Sequence, residues 1–254
     1  MTDARPIVYY TTAHGYGHSA RSCDIIRALH RTRPDIPICV VSGVDEAFFA
    51  SRLNPAQFTW RHGKFDVGLV QLDSVRADID TTLAAWRELL PAWQDLLQGE
   101  QAYLETSAAA LVVSDIPALP LAAARTVGIP TVAVGNFGWD WIYEDYLSRD
   151  EAWAEIVSLN REAYRETDLL LHMPFSEPMA VFPRRTAIPL VAEPGQERRD
   201  WIARGTGADS SKPWYLLSFS TLDWNEEALE RVQARTDAEF FTILPLTWAP
   251  PNIH

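Results

Sequence analysis

The fold is decided by Pro6-Ile7-Val8-Tyr9-Tyr10 followed, four residues on, by His14-Gly15-Tyr16-Gly17-His18-Ser19-Ala20-Arg21. The first run is short, apolar and partly β-branched, and reads as a buried strand. After the glycine loop, Ala20, Cys23, Ile26 and Leu29 recur at helical spacing with Arg and Asp between them. Strand, glycine loop and helix make the first half of a β-α-β unit. Ile36–Val41 supplies the next strand.

The same alternation continues along the chain. Asp45–Leu53 predicts a short helix, and Phe58–Gln71 one or two short strands. Leu83, Trp86, Leu89 or Leu90, Trp93 and Leu97 mark a long amphipathic helix, which Pro91 should kink by removing a backbone donor. Leu111–Ser114 reads as a strand ending at Asp115. Ala118–Val127 is an alanine-rich helix, Thr131–Val134 a strand, Asp150–Arg165 a helix and Asp168–His172 a strand. Ile188–Val191 is a further strand candidate. Strands alternating with helices predict an α/β fold, a Rossmann-like parallel sheet with helices on both faces. We expect one domain over residues 1–197 and a polar linker over 198–212. Residues 213–254 then open a second Rossmann-like domain that is incomplete. About forty residues cannot bury a sheet alone.

Composition narrows the function. Hydrophobic residues are 47% and charged residues 22%, which supports a packed core. A net charge of -12 opposes binding to phosphate backbones, so no nucleic-acid partner is expected. Two cysteines, Cys23 and Cys39, make no disulfide or metal framework. The polar Met1–Pro6 is unlike a secretory signal, and no apolar run approaches the ~20 residues of a membrane span. A cytoplasmic location with no transmembrane segment follows as the expectation.

Two constellations carry chemistry. In the first, Gly15 and Gly17 allow close approach of a ligand, and the helix start that follows offers free amides and a dipole to an anion. His18 can exchange a proton near neutral pH. The alternative is that His14 and His18 cap the helix or bond to backbone. No third ligand is evident for a metal. The second constellation is Asn136-Phe137-Gly138-Trp139-Asp140-Trp141-Ile142-Tyr143-Glu144-Asp145-Tyr146, after a predicted strand at the carboxyl edge. Aromatics interleaved with carboxylates suit the C–H faces and hydroxyls of a sugar. A packed loop with exposed acids is the other reading. Asp115 ends a strand on the same edge, where a plain turn residue is the favoured reading.

On these residues the chain resembles the amino-terminal domain of GT-B glycosyltransferases. His14-Gly-x-Gly-His18-x-x-Arg21 is similar to the loop of the lipid II-forming N-acetylglucosaminyltransferase. More specific are Asp115-Ile-Pro, Val134-Gly-Asn136-Phe-Gly-Trp139-Asp140-Trp141-Ile-Tyr143 and Asp66-Val-Gly-Leu-Val-Gln71-Leu-Asp73. These resemble bacterial glycosyltransferase-like proteins and the glycosyltransferase-like amino-terminal region of plant L-arabinokinase. The resemblance runs through most of residues 6–222.

It implies transfer of a sugar from a nucleotide-sugar, UDP- or GDP-linked, to a hydroxyl on a sugar or lipid-linked acceptor. His18 would be the general base. His14, Gly15, Gly17, Arg21, Asp115, Asn136, Trp139, Asp140 and Tyr143 would hold the acceptor. Ser218, Ser220 and Thr221 would face the donor phosphates. Helix amino-termini would receive the departing diphosphate, with no metal and no cofactor. Relatives tend to carry a glycine pair near Ser218-Phe219-Ser220-Thr221, and the chain ends before most of the donor domain that the resemblance implies. The expectation is therefore a truncated or split transferase, or a sugar- or metabolite-binding module without the donor half. A dinucleotide oxidoreductase is disfavoured by the incomplete glycine fingerprint.

Overall fold

A computed structural model describes residues 5–73, 75–218, 226–242 and 250–254. The chain divides into two compact units. One is Met1–Val70 with Ile79–Glu193, and the other is Gln71–Asp78 with Pro194–His254.

In chain order the strands are β1 Ile7–Thr11, β2 Ile38–Ser42, β3 Thr59–His62, β4 Val70–Gln71, β5 Ala77–Asp78, β6 Leu111–Asp115, β7 Thr131–Gly135, β8 Leu169–His172, β9 Arg185–Ala187, β10 Trp214–Leu217 and β11 Glu239–Thr242. The helices are α1 Tyr16–Thr32, α2 Glu46–Ala50, α3 Ile79–Leu89, α4 Trp93–Thr106, α5 Ala118–Thr126, α6 Trp139–Glu144, α7 Ala152–Arg165, α8 Arg199–Thr206 and α9 Glu226–Gln233.

The first unit is built on a sheet in the order β3-β2-β1-β6-β7-β8-β9, with every neighbouring pair parallel. Parallel strands need crossovers, and the helices that make them cover both faces of the sheet. All five residues of β1 are buried, as a central strand requires. Val8 and Tyr10 belong to the core that contains Trp86, Trp153 and Tyr164. Ile7 and Tyr9 belong to the core beneath α1, with Cys23 and Ile26. This is the α/β, Rossmann-like architecture that the sequence predicts.

Strand order reverses at β1. The chain runs outward through β2 and β3, then returns to pair β6 on the other side of β1. A crevice opens at the carboxyl ends of strands at such a point, because the two flanking loops diverge. The β1–β6 register pairs Thr11 with Asp115, and Thr12 N–H donates to the Asp115 carbonyl at 2.9 Å. Asp115 is thereby fixed at that crevice.

Three local expectations change. Pro91 breaks the long helix rather than kinking it. A single 3-10 turn, Leu90–Ala92, separates α3 from α4, and Trp86 and Trp93 remain buried with ring centroids 6.1 Å apart. The last strand of the large sheet is Arg185–Ala187, not Ile188–Val191. Ile188 N–H still bonds to the His172 carbonyl at 2.9 Å, but Pro189 has no donor with which to continue the ladder. The stretch 198–212, expected as a linker, holds α8, ended by Gly207 in the left-handed conformation at φ 81°.

The second unit contains β10, α9 and β11, a β-α-β arrangement with Trp214 opposite Glu239. Ser218, exposed, follows β10, whereas Ser220 and Thr221 lie outside the described residues. No helix among the described residues is long and apolar enough to cross a membrane.

Candidate functional site

The site lies at the switch point and is assembled from residues far apart in the chain. Asp115, at the end of β6, is fully buried. Arg21, one turn into α1, donates from Nε to Asp115 Oδ2 at 2.6 Å and from Nη2 to Oδ1 at 2.5 Å. This two-pronged contact matches the guanidinium fork to the carboxylate plane. The third arm, Nη1, donates to Asn136 Oδ1 at 3.0 Å. Ser22 Oγ is 3.4 Å from Asp115 Oδ2. Burial pushes the Asp115 carboxyl up, but the Arg21 guanidinium and then His18 outweigh it, and Asp115 is held below the usual carboxylate value.

His18, in the first turn of α1, places Nδ1 at 2.8 Å from Asp115 Oδ1. An ionised carboxylate only accepts, so this contact requires the proton on Nδ1. Arg21 Nη2 lies 2.9 Å from the same nitrogen, but it already bonds Asp115 Oδ1. The tautomer assigned from this network is Nδ1–H, which leaves the Nε2 lone pair free. The ring is otherwise enclosed and packs edge-on against Phe137, with centroids 5.6 Å apart. An imidazole oriented by a carboxylate through one nitrogen can exchange a proton through the other.

The glycines of the loop differ in what they do. Gly15 caps α1 at φ 74°, where a side chain would be strained. Gly17 has no such backbone demand, and a Cβ there would meet nothing within 4 Å. Gly15, Tyr16 and Gly17 are all exposed, so the helix start is open to solvent. No side chain caps α1. The capping role considered for the histidines therefore does not hold for either. Backbone bonding does hold for His14, whose Nδ1 accepts from the Leu69 amide at 3.3 Å.

A second buried carboxylate supports the loop from below. Asp66 Oδ1 accepts from Thr12 Oγ1 at 3.0 Å, and Oδ2 accepts from Trp139 Nε1 at 2.8 Å. Thr12 Oγ1 in turn accepts from the His14 amide at 3.1 Å. Burial raises the Asp66 carboxyl above its ordinary value, with the Thr12 and Trp139 bonds opposing that shift.

Of the residues expected at the acceptor, His14, Arg21, Asp115 and Asn136 gather with His18. Trp139, Asp140 and Tyr143, expected to hold the acceptor, are buried. Trp139 is 1% exposed and Tyr143 0%, so neither presents a ring face to solvent. Their rings stack at 5.6 Å, and the Tyr143 hydroxyl donates to the Gly68 carbonyl at 2.8 Å. Asp140 is buried with its carboxylate 3.3 Å from Arg161 Nε of α7. Helix periodicity turns positions 139, 140 and 143 of α6 inward and leaves Trp141 and Glu144 outside. Asp66, Thr12, Gly68 and Leu69 were missed as site residues. The Asp66–Asp73 segment stood out only by resemblance, since nothing local pairs Asp66 with position 139. Among the described residues no cluster of His, Cys, Asp or Glu could hold a metal ion.

No family model matches the chain. It is 29% identical over 213 residues to an L-arabinokinase of Arabidopsis thaliana, across 83% of this chain and 20% of that protein. The chain therefore spans about a fifth of the length of that relative. Among solved structures it is similar to UGT2 of Phytolacca americana, complexed with UDP-2fluoro-glucose and pterostilbene. The TM-score is 0.59 at 12% identity, over 99% of this chain and 69% of that one. It is also similar to a UDP-glucosyltransferase of Polygonum tinctorium, with TM-score 0.58 at 14% identity, over 97% and 67%. The calicheamicin glycosyltransferase CalG4 gives 0.56 at 17%, over 99% and 70%. An all-parallel sheet reversing at β1, covered by helices and shared with these enzymes across nearly the whole chain, makes this protein GT-B glycosyltransferase-like in fold.

Proposed function

We propose that the chain carries the acceptor half of a glycosyltransferase, moving a sugar from a UDP- or GDP-sugar to a hydroxyl acceptor. The observation that carries the reading is the 2.8 Å contact between His18 Nδ1 and Asp115 Oδ1 at the switch point, with Nε2 left open. In the step we propose, His18 Nε2 takes the proton of the acceptor hydroxyl. The hydroxyl oxygen bonds to the anomeric carbon, and the bond from that carbon to the diphosphate oxygen breaks, its electron pair leaving with the diphosphate. The imidazolium that forms lies against an anionic Asp115, so positive charge develops where negative charge already stands.

Asn136 and Arg21 set the position of Asp115 rather than touching the acceptor in this reading. Gly15 and Gly17 leave room at the head of α1 for the acceptor or for the departing anion. Ser218, with Ser220 and Thr221 beside it in sequence, is the proposed contact for the donor phosphates. A sugar or lipid-linked acceptor fits the reading.

The test is a transfer assay with UDP- and GDP-sugars on the full natural protein. His18→Ala is expected to lower turnover by roughly 100-fold or more, the usual worth of a positioned base. An unchanged rate would remove that role. Calorimetry separates the alternative, a binding module: it would bind sugar and ignore UDP and GDP.

A further inference from the structure

His14 is seated more carefully than a loop side chain requires. Gly68 packs directly against its ring, and a Cβ on Gly68 would lie 2.7 Å from His14 Nδ1. The Leu69 amide donates to that nitrogen, and Trp139 meets the ring edge-on at 5.3 Å. The Gly68 peptide is itself held by the Tyr143 hydroxyl, and Trp139 by Asp66. Two segments of the chain, 66–69 and 139–143, thus fix one imidazole. His18 has the same kind of seat, against Phe137, which contacts Trp139 with centroids 5.2 Å apart.

The two seats impose opposite proton positions. Asp115 accepts from His18 Nδ1, so that ring carries its proton on Nδ1. The Leu69 amide donates to His14 Nδ1, so that ring, when neutral, carries its proton on Nε2. Among the described residues neither Nε2 has a hydrogen-bond partner.

We infer that His14 and His18 are locked in opposite neutral tautomers and together seat one neutral hydroxyl, His14 Nε2–H donating to its oxygen and His18 Nε2 accepting its proton. This deepens the acceptor reading above and rests on it. Burial holds His14 below the ordinary imidazole value, which favours the neutral ring. The pair selects a group that accepts and donates at once. An alcohol or phenol does both. An ether lacks the proton for His18, and an ammonium has no lone pair for His14. His14 also orients the hydroxyl, so that its proton points at His18 and an oxygen lone pair is left for the attack.

The experiment is long-range proton–nitrogen NMR of the imidazoles in the 15N-labelled full chain near neutral pH, assigned with His14→Gln and His18→Gln. The expected result is a protonated Nε2 on His14 and a protonated Nδ1 on His18. Adding methyl glucoside as the hydroxyl probe is expected to move both Nε2 signals together. In His14→Phe the probe should bind roughly tenfold more weakly, the worth of one hydrogen bond. A protonated Nδ1 on His14, a cationic ring, or a probe that moves only one or neither of the two signals would overturn the inference. The tautomers are read without any donor. Absent transfer activity with the expected tautomers therefore sinks only the transferase reading, while transfer with the wrong His14 tautomer sinks only the hydroxyl seat.

Discussion

His18 and Asp115 lie 97 positions apart in sequence and 2.8 Å apart in the fold. One stands in the first turn of α1 and the other on the last residue of β6. Parallel pairing of β1 with β6 closes the gap, since Thr11 is the partner of Asp115 in that register. The relation matters because the carboxylate decides which imidazole nitrogen holds the proton.

In the proposed transfer, Asp115→Asn should therefore disable His18 as base without emptying the site. The amide fits the same space, but it can present its NH2 to His18 Nδ1 and favour the wrong tautomer. We expect turnover to fall by about 100-fold or more, with KM for the acceptor changed far less. Steady-state kinetics on the full natural protein check this, and equal losses in both parameters would point to a collapsed site instead.

Arg21→Lys should shift the acid limb of stability. Asp115 is depressed below its unfolded value, so its contribution is present above that value and lost as pH falls through the folded one. Lysine cannot reproduce the fork on both carboxylate oxygens. The Asp115 carboxyl then rises, and acid unfolding begins at higher pH than in the parent. Thermal melts taken from neutral pH down through about pH 4, the ordinary Asp range, would show the shift. An acid limb that coincides with the parent's contradicts the assignment of Arg21 as the main opposing charge.

Gly68→Ala should cost more than Gly128→Ala. Both glycines have positive φ, +69° and +72°, so both substitutions carry the backbone penalty of about 1 kcal/mol. Only at Gly68 does the new Cβ also strike a fixed group, the His14 ring, whereas at Gly128 it meets nothing within 4 Å. Melting temperatures of the two variants, with the His14 imidazole signals, separate strain from collision. Equal losses and an undisturbed His14 spectrum would remove the seat.

Trp139→Phe should destabilise the protein without altering acceptor preference in the proposed transfer. The phenyl ring keeps most of the packing against His14 and Phe137 but leaves Asp66 Oδ2 without its donor. An unsatisfied buried charged oxygen costs roughly 1–3 kcal/mol or more. Chemical denaturation reads the loss. A change in acceptor preference at unchanged stability would restore the idea that this ring faces the ligand.

What the sequence determined by itself is whatever lies within one turn or one strand. The apolar run at Ile7–Tyr10, the glycine loop, the spacing of Cys23 and Ile26, and the breaks at Pro91 and Gly128 each act over a few residues. From these the alternating α/β order could be read. Tertiary structure alone decided the partners of the polar groups. Asp115 reads locally as a turn residue, and only strand pairing delivers His18 and Arg21 to it. Trp139 and Tyr143 stand in the string as aromatics that suit a sugar face, and only helix packing shows them buried over Asp66 and Gly68. Backbone preference and hydrophobic period are short-range, whereas hydrogen-bond satisfaction inside a core joins residues 54 to 115 positions apart, as in Thr12–Asp66 and Arg21–Asn136.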